Sequence, residues 1–102
     1  MIHVLAGIEL KPGTREAFLA IFKANVPAVL AESGCLRYEP TVDVDTGLPA
    51  QGGVRPNTVT IVEAWQSLPH LRAHLTAPHM ATYREKVKDL VVGVKLQVVE
   101  PA

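Results

Sequence analysis

One cysteine, Cys35, is all that this 102-residue chain offers to thiol chemistry. It cannot close an internal disulfide, and its Ser33-Gly34-Cys35 setting has neither a C-x-x-C nor a Cys/His metal spacing, so a reducing, cytoplasmic compartment is expected. An excess of charge is missing as well: ten Lys and Arg balance ten Asp and Glu, for a formal net charge of zero and a pI near 6.9. Without a basic stripe there is no electrostatic footprint for nucleic acid or an acidic membrane surface. A small-molecule or protein partner is expected instead, and neutrality removes one barrier to self-association. No apolar run is long enough to span a bilayer. The first stretch, MIHVLAGIEL, has no basic start and is cut by Glu9 before Lys11 and Pro12, so neither a signal peptide nor a membrane span fits. Absence of G-x-G-x-x-G and G-x-x-x-x-G-K-[ST] excludes dedicated dinucleotide and nucleotide-phosphate loops. Internal repeats and low-complexity tracts are also lacking.

What is present is an ordinary globular composition, 48% hydrophobic and 20% charged, at the length of one domain spanning residues 1–102. Apolar residues at Ile2, Val4, Ala6, Ile8 and Leu10 give a period-two strand. Lys11-Pro12-Gly13 breaks it, and Thr14 is placed to cap a helix whose first turn carries Glu16. Phe18, Ile21, Phe22, Val29 and Leu30 recur at helical spacing up to about Glu32, with a kink or break expected near Asn25 because of Pro27. Ser33-Gly34 ends that helix. LRYEPTVDV then reads as a second strand with Leu36, Tyr38, Val42 and Val44 on one face, and residues 45–57 form a long Gly/Pro-rich loop of a kind often functional. TVTIVEAW is a third strand. Ser67 and Thr76 are placed to cap two short helices, with Pro69 and Pro78 in their first turns. The last helix carries Met80, Tyr83, Val87, Leu90 and Val91, Gly93 ends it, and Val94, Leu96 and Val98 alternate along a fourth strand. This order is an α+β, ferredoxin-like β-α-β-β-α-β arrangement with an antiparallel four-stranded sheet, its second helix split.

The chemistry concentrates between Val62 and His79, VEAWQSLPHLRAHLTAPH, which holds three of the four histidines and the sole tryptophan. Strand parity puts Glu63 as the only charged side chain on an inward face of Ile2, Val4, Tyr38, Ile61, Trp65 and their neighbours. Burial raises the pKa of such a carboxylate unless a donor or cation satisfies it, and it serves either as a hydrogen-bonded structural group or as a functional one. His70 and His74 have the H-x-x-x-H spacing that zinc can use, but no H-E-x-x-H motif or cysteine partner accompanies them, and no metal is assigned. His70 is expected on an exposed early-helix position. His74, three residues after Leu71, falls at the edge of the inward face; His79 shares a helix side with Tyr83. A neutral imidazole at either is a general base near pH 7, or a bridge across the helix break. Trp65 and Tyr83 read as core fillers or as ring-stacking walls.

Lys11–Phe18 (KPGTREAF), Gly34–Glu39 (GCLRYE), Ile61–Trp65 (IVEAW) and Leu71–Leu90 (LRAHLTAPHMATYREKVKDL) together resemble the antibiotic biosynthesis monooxygenase family, in particular its quinol-monooxygenase-like members. The resemblance spans nearly the whole chain, in order. It implies a homodimer formed through the sheet, a dimeric α+β barrel, with a pocket between sheet and helices in each subunit. It further implies a monooxygenase that works with no cofactor, neither metal, flavin nor haem, on a hydroquinone or polycyclic phenol and O2. In that chemistry His74 or His79 would act as base beside Glu63, Tyr38 or Tyr83 as donor, and Trp65 as an apolar wall. The haem-degrading branch uses an Asn, Trp and His set that falls here at Ala6, His74 and Arg84, with no match. Two other readings stand beside the oxygenase: an isomerase of a small carbonyl signalling metabolite, and a noncatalytic dimer that binds a planar ligand.

Overall fold

Apolar alternation along the four strands needs one covered face, and the helices supply it. The computed structural model describes residues 1–102. The chain runs β1 (Ile2–Leu10), α1 (Arg15–Leu30), β2 (Cys35–Thr41), β3 (Thr58–Trp65), α2 (Leu68–Leu75), α3 (Pro78–Val87) and β4 (Val91–Val99). The sheet order is β2-β3-β1-β4 with every neighbouring pair antiparallel, the ferredoxin-like arrangement with the second helix in two pieces. The central pair sets the register: Val4 lies opposite Glu63, Ala6 opposite Ile61 and Ile8 opposite Val59, all on the inward face. Against that face pack Phe18, Phe22 and Val29 of α1, Leu71 of α2, and Met80, Tyr83 and Val87 of α3. Phe22 links the layers, its ring 5.2 Å from that of Tyr38 and 5.7 Å from that of Tyr83. Full burial of such a side chain contributes about 2–3 kcal/mol. No helix is long and apolar enough to cross a membrane.

Local signals in the sequence were resolved differently from expectation at several points. Thr14 occupies the N-cap position of α1, but its hydroxyl donates to the Lys11 carbonyl at 2.7 Å, closing the Lys11–Gly13 turn instead of capping the helix. Helix α1 does not break at Pro27 but continues to Leu30. Pro27 lies in the last turn on the exposed side, and the exposed Lys23 one turn earlier is the residue whose carbonyl loses its helical partner. Leu30 is exposed there and is not part of the buried stripe. In β2 the register slips between Cys35, opposite Trp65, and Arg37, opposite Ala64. This bulge turns Leu36 out to solvent while keeping Tyr38 inward, and the strand ends at Thr41, leaving Val42 and Val44 exposed.

The second half of the chain carries three more corrections. Ser67 caps α2 by accepting from the His70 N–H, whereas Thr76 closes the end of α2 and Ala77 precedes α3. Helix α3 stops at Val87, and a short turn feeds Val91 into β4, so Leu90 and Val91 are not helical and Gly93 lies within the strand. Val94, Leu96 and Val98 do take the inward face, opposite Ile8, Ala6 and Val4. They are not core, however: Val94 remains 54% exposed, because the helices stop short of this edge strand. The 42–57 segment is stapled at its base, where Asp43 accepts from Arg55 Nε and Nη2 at 2.8 Å each, which holds the Asp43 carboxyl down at about 2. It contributes nothing to the main cavity.

Gly34 connects the end of α1 to β2 in a backbone conformation at φ +80°, and a Cβ placed there would come within 2.3 Å of His70 Cγ. His70 is itself fixed, its Nδ1 2.6 Å from the Ser67 hydroxyl. Gly34→Ala therefore meets both left-handed strain and overlap with an immobilised ring. Its expected cost is about 2–4 kcal/mol, read as a lowered urea midpoint; a midpoint within error of the wild type would show that the ring yields freely.

Candidate active site

The gap that the helices leave beside β4 becomes a cavity of about 410 Å³, walled mainly by apolar side chains. That is within the size range of small-ligand pockets. Its apolar body is built from Ala6, Ile8, Ile61, Val94 and Leu96 of the sheet and Met80, Val87 and Phe22 of the helices. Polar atoms enter through Tyr38, Glu63, His74, Tyr83, Arg84 and Lys88.

Glu63 reaches the cavity because β3 parity points it inward, next to Tyr38 across the β2–β3 pair. It is only 6% exposed, and its Oε1 accepts from Trp65 Nε1 at 3.0 Å. Burial is the dominant influence on this carboxyl and pushes its pKa up from 4.5 to about 7, against the opposing Trp65 hydrogen bond and with help from the Glu32 charge. Tyr38 and Tyr83 are both pushed above the ordinary phenol range, first by burial. They therefore stay protonated, as donors. Neither hydroxyl has a protein partner among the side-chain hydrogen bonds, while no buried side-chain polar atom is left unpaired, so both hydroxyls keep some accessible surface; both residues line the cavity, and Tyr83 also borders a small separate pocket beside Asn25 and Lys86.

His74 is 2% exposed, packed against Trp65 at a ring-centroid distance of 4.7 Å and edge-on to Tyr38 at 5.4 Å. Its Nδ1 donates to Glu32 Oε2 at 2.8 Å. Burial lowers its pKa below 6.5 even though the Glu32 hydrogen bond pulls the other way, so the ring is neutral at neutral pH. With Nδ1 carrying the proton toward a carboxylate, Nε2 holds the lone pair. No protein group bonds that nitrogen, and since no buried polar atom is unpaired it keeps some accessible surface, on a residue that lines the cavity.

The same Glu32 oxygen accepts from His79 Nε2 at 2.9 Å, so one carboxylate ties the end of α1 to both α2 and α3. His79 does not line the cavity, and its side chain is 30% exposed. Trp65 likewise is no cavity wall, being completely buried behind Glu63 and His74. His70 is turned to Ser67 and Gly34, which leaves the two histidines of the H-x-x-x-H pair with separate partners. The sequence alone does not single out Glu32 or Lys88, and it marks Arg84 only as a mismatch to the haem-degrading set. Glu32 is the last acidic residue before the Ser33-Gly34 stop, and nothing in its local pattern marks the two histidines it meets 42 and 47 residues later.

Protonation of Glu63 has a thermodynamic consequence. The folded chain holds this proton up to about pH 7, while an unfolded glutamate releases it near 4.5, so its contribution to stability is complete below 4.5 and fades as the pH rises through 7. Relative to Glu63→Gln, which keeps an acceptor for Trp65, the wild type should lose roughly 3 kcal/mol between these limits. Urea unfolding of both proteins across that range reads the difference and cancels the opposite, acid-side effect of His74; parallel stability curves would mean that Glu63 ionises normally.

Comparison with known proteins agrees with this architecture. Residues 1–86 match the family model described as antibiotic biosynthesis monooxygenase. The chain is 40% identical to the Escherichia coli K12 protein named "Probable quinol monooxygenase YgiN", over 99% of this chain and 98% of that one. Among solved structures, Rv0793 from Mycobacterium tuberculosis superimposes with a TM-score of 0.80 at 25% identity, covering 99% of this chain and 94% of that one. SO0527 from Shewanella oneidensis gives 0.79 at 26%, covering 96% and 87% respectively. A split ferredoxin-like fold with a polar-tipped cavity between sheet and helices, together with these matches, places the chain in the antibiotic biosynthesis monooxygenase family.

Proposed function

We propose that this protein is a cofactor-independent monooxygenase that oxidises a hydroquinone or polycyclic phenol with O2 in the cavity beside β4. The observation that carries the reading is His74: a neutral, buried imidazole with its Nδ1 proton committed to Glu32 and its Nε2 lone pair open to an apolar cavity. That is the arrangement of a general base oriented by a carboxylate. The relative named a quinol monooxygenase supports the substrate class.

In this mechanism Nε2 of His74 takes the phenolic proton, and the Tyr38 hydroxyl and the protonated Glu63 carboxyl donate to the oxyanion that forms. The electron-rich anion passes one electron to O2. Recombination of the resulting radical pair forms a C–O bond, and cleavage of the O–O bond leaves one oxygen atom on the ring carbon as a carbonyl. The other oxygen departs as water with the two hydrogens that the substrate lost. The substrate supplies every electron. Trp65 acts at one remove, holding Glu63 in place and closing the back of the His74 ring. His79 shares Glu32 with His74 and so helps to fix the carboxylate.

The outer face of the sheet is mixed, with the exposed Arg37–Glu39 pair beside an apolar patch that suits a homodimer. Leu5 and Val99 lie there about half exposed and Val62 partly so, with no helix of this chain over them. Sheet-to-sheet pairing of two copies would cover these side chains. Leu5→Lys is expected to shift the protein from dimer toward monomer in sedimentation velocity; a monomeric wild type would remove this part of the reading.

Oxygen-electrode assays with reduced naphthoquinols, corrected for autoxidation, test the chemistry. His74→Asn should lower kcat about 100-fold or more, and Glu32→Gln about tenfold through loss of orientation. Oxygen uptake that is unchanged in His74→Asn would overturn the assignment of the base, and substrate conversion that persists without oxygen would overturn the oxygenase reading in favour of isomerisation.

A further inference from the structure

Helix α3 and its C-cap present Met80, Tyr83, Arg84, Val87 and Lys88 to the cavity, a stripe in which two cations, four residues apart, border three large nonpolar or aromatic side chains. They are the only basic side chains apart from His74 on a wall that is otherwise largely apolar. Arg84 is aimed: its Nη2 donates to the Leu75 carbonyl at 2.7 Å, which fixes the guanidinium at the junction of α2 and α3 and leaves its other N–H groups available. No carboxylate pairs with it. Its charge nonetheless reaches the polar end of the cavity, where it helps to lower His74 and opposes the rise at Tyr83. Lys88 has only an exposed partner one helical turn back, Glu85, and such a pair is weak enough for a better acceptor to replace it.

An apolar slot with base and donors within, an Arg84 that no carboxylate neutralises and a Lys88 held only by an exposed glutamate suits a ligand that is planar and apolar in the middle and negative at one end. We propose that the substrate is an aryl carboxylate, a quinol or phenol bearing a carboxyl group that Arg84 and Lys88 hold at the cavity rim while the phenolic end meets His74, Glu63 and Tyr38. The identity of the reacting end rests on the oxygenase reading above; the carboxylate subsite does not. Arg84 and Lys88 are then specificity-determining groups. A guanidinium engages a carboxylate by two parallel hydrogen bonds, and this fixes which end of the molecule enters first.

Calorimetric titration of 2-naphthoate and of 2-naphthamide, equal in shape and differing in charge, isolates the subsite without any turnover. The wild type should bind the naphthoate at least about tenfold more tightly, with the margin shrinking as salt is added. Arg84→Gln should abolish the preference and Lys88→Gln reduce it, while affinity for the naphthamide stays within about twofold in both variants and so reports an intact cavity. Equal affinity in the wild type, no binding of either probe, or a preference that survives both substitutions overturns the proposal. In turnover, 1,4-dihydroxy-2-naphthoate should show a KM raised about tenfold in Arg84→Gln, with a much smaller rise for a naphthoquinol that lacks the carboxylate. Naphthoate selectivity without oxygen uptake from any quinol would leave the subsite standing and remove the oxygenase reading; oxygen uptake without selectivity would do the reverse.

Discussion

A single carboxylate oxygen, Oε2 of Glu32, holds the site together. It accepts from His74 of α2 and His79 of α3, at 2.8 and 2.9 Å, from a position just past the end of α1. Its side chain is itself only 13% exposed, so both hydrogen bonds form where water competes poorly and are correspondingly strong. The break between α2 and α3 is thereby fixed against α1, and the orientation of the His74 ring follows. A ring free to flip would offer either nitrogen to the cavity. Tied through Nδ1, it offers Nε2.

Burial does the rest of the electrostatic work, and it acts in opposite directions on neighbouring groups. The same apolar surroundings that favour a neutral His74 keep the two tyrosines protonated and raise Glu63 to about 7, where the acid and the carboxylate coexist. An acceptor and several donors therefore coexist in one small space near neutral pH. Trp65 is central to this although it touches no ligand space: fully buried, it fills the volume behind both groups and satisfies one Glu63 oxygen. A smaller residue there would leave a void beside the two titratable groups that matter most.

Uncovered β4 explains why there is a cavity at all. Three helices are enough to roof β1, β2 and β3, but α3 ends at Val87 and the chain must turn to enter the edge strand, so Val94 and Leu96 face a gap instead of a helix. The cations of α3 border this opening, while the imidazole and carboxyl lie at its polar end.

Much of this was written locally. Period-two alternation determined the strands, including the inward direction of Tyr38, Glu63 and Trp65, and helical spacing determined the faces of α1 and α3 that carry Phe18, Phe22 and Tyr83. The quoted motifs likewise identified the family, since they depend on residue identity in order. Strand ends and caps were less legible: a bulge at Leu36 reversed its direction, and Thr14 and Thr76 spent their hydroxyls on turn carbonyls, choices made by competition among nearby hydrogen-bond partners. What only the tertiary structure decided was distance across the chain. No periodicity marks Glu32 as the partner of residues more than forty positions away, removes His79 and Trp65 from the cavity wall, or brings Arg84 and Lys88 to its edge. Local pattern specifies which way a side chain leaves its own element; whom it meets depends on how far the packed helices extend over the sheet.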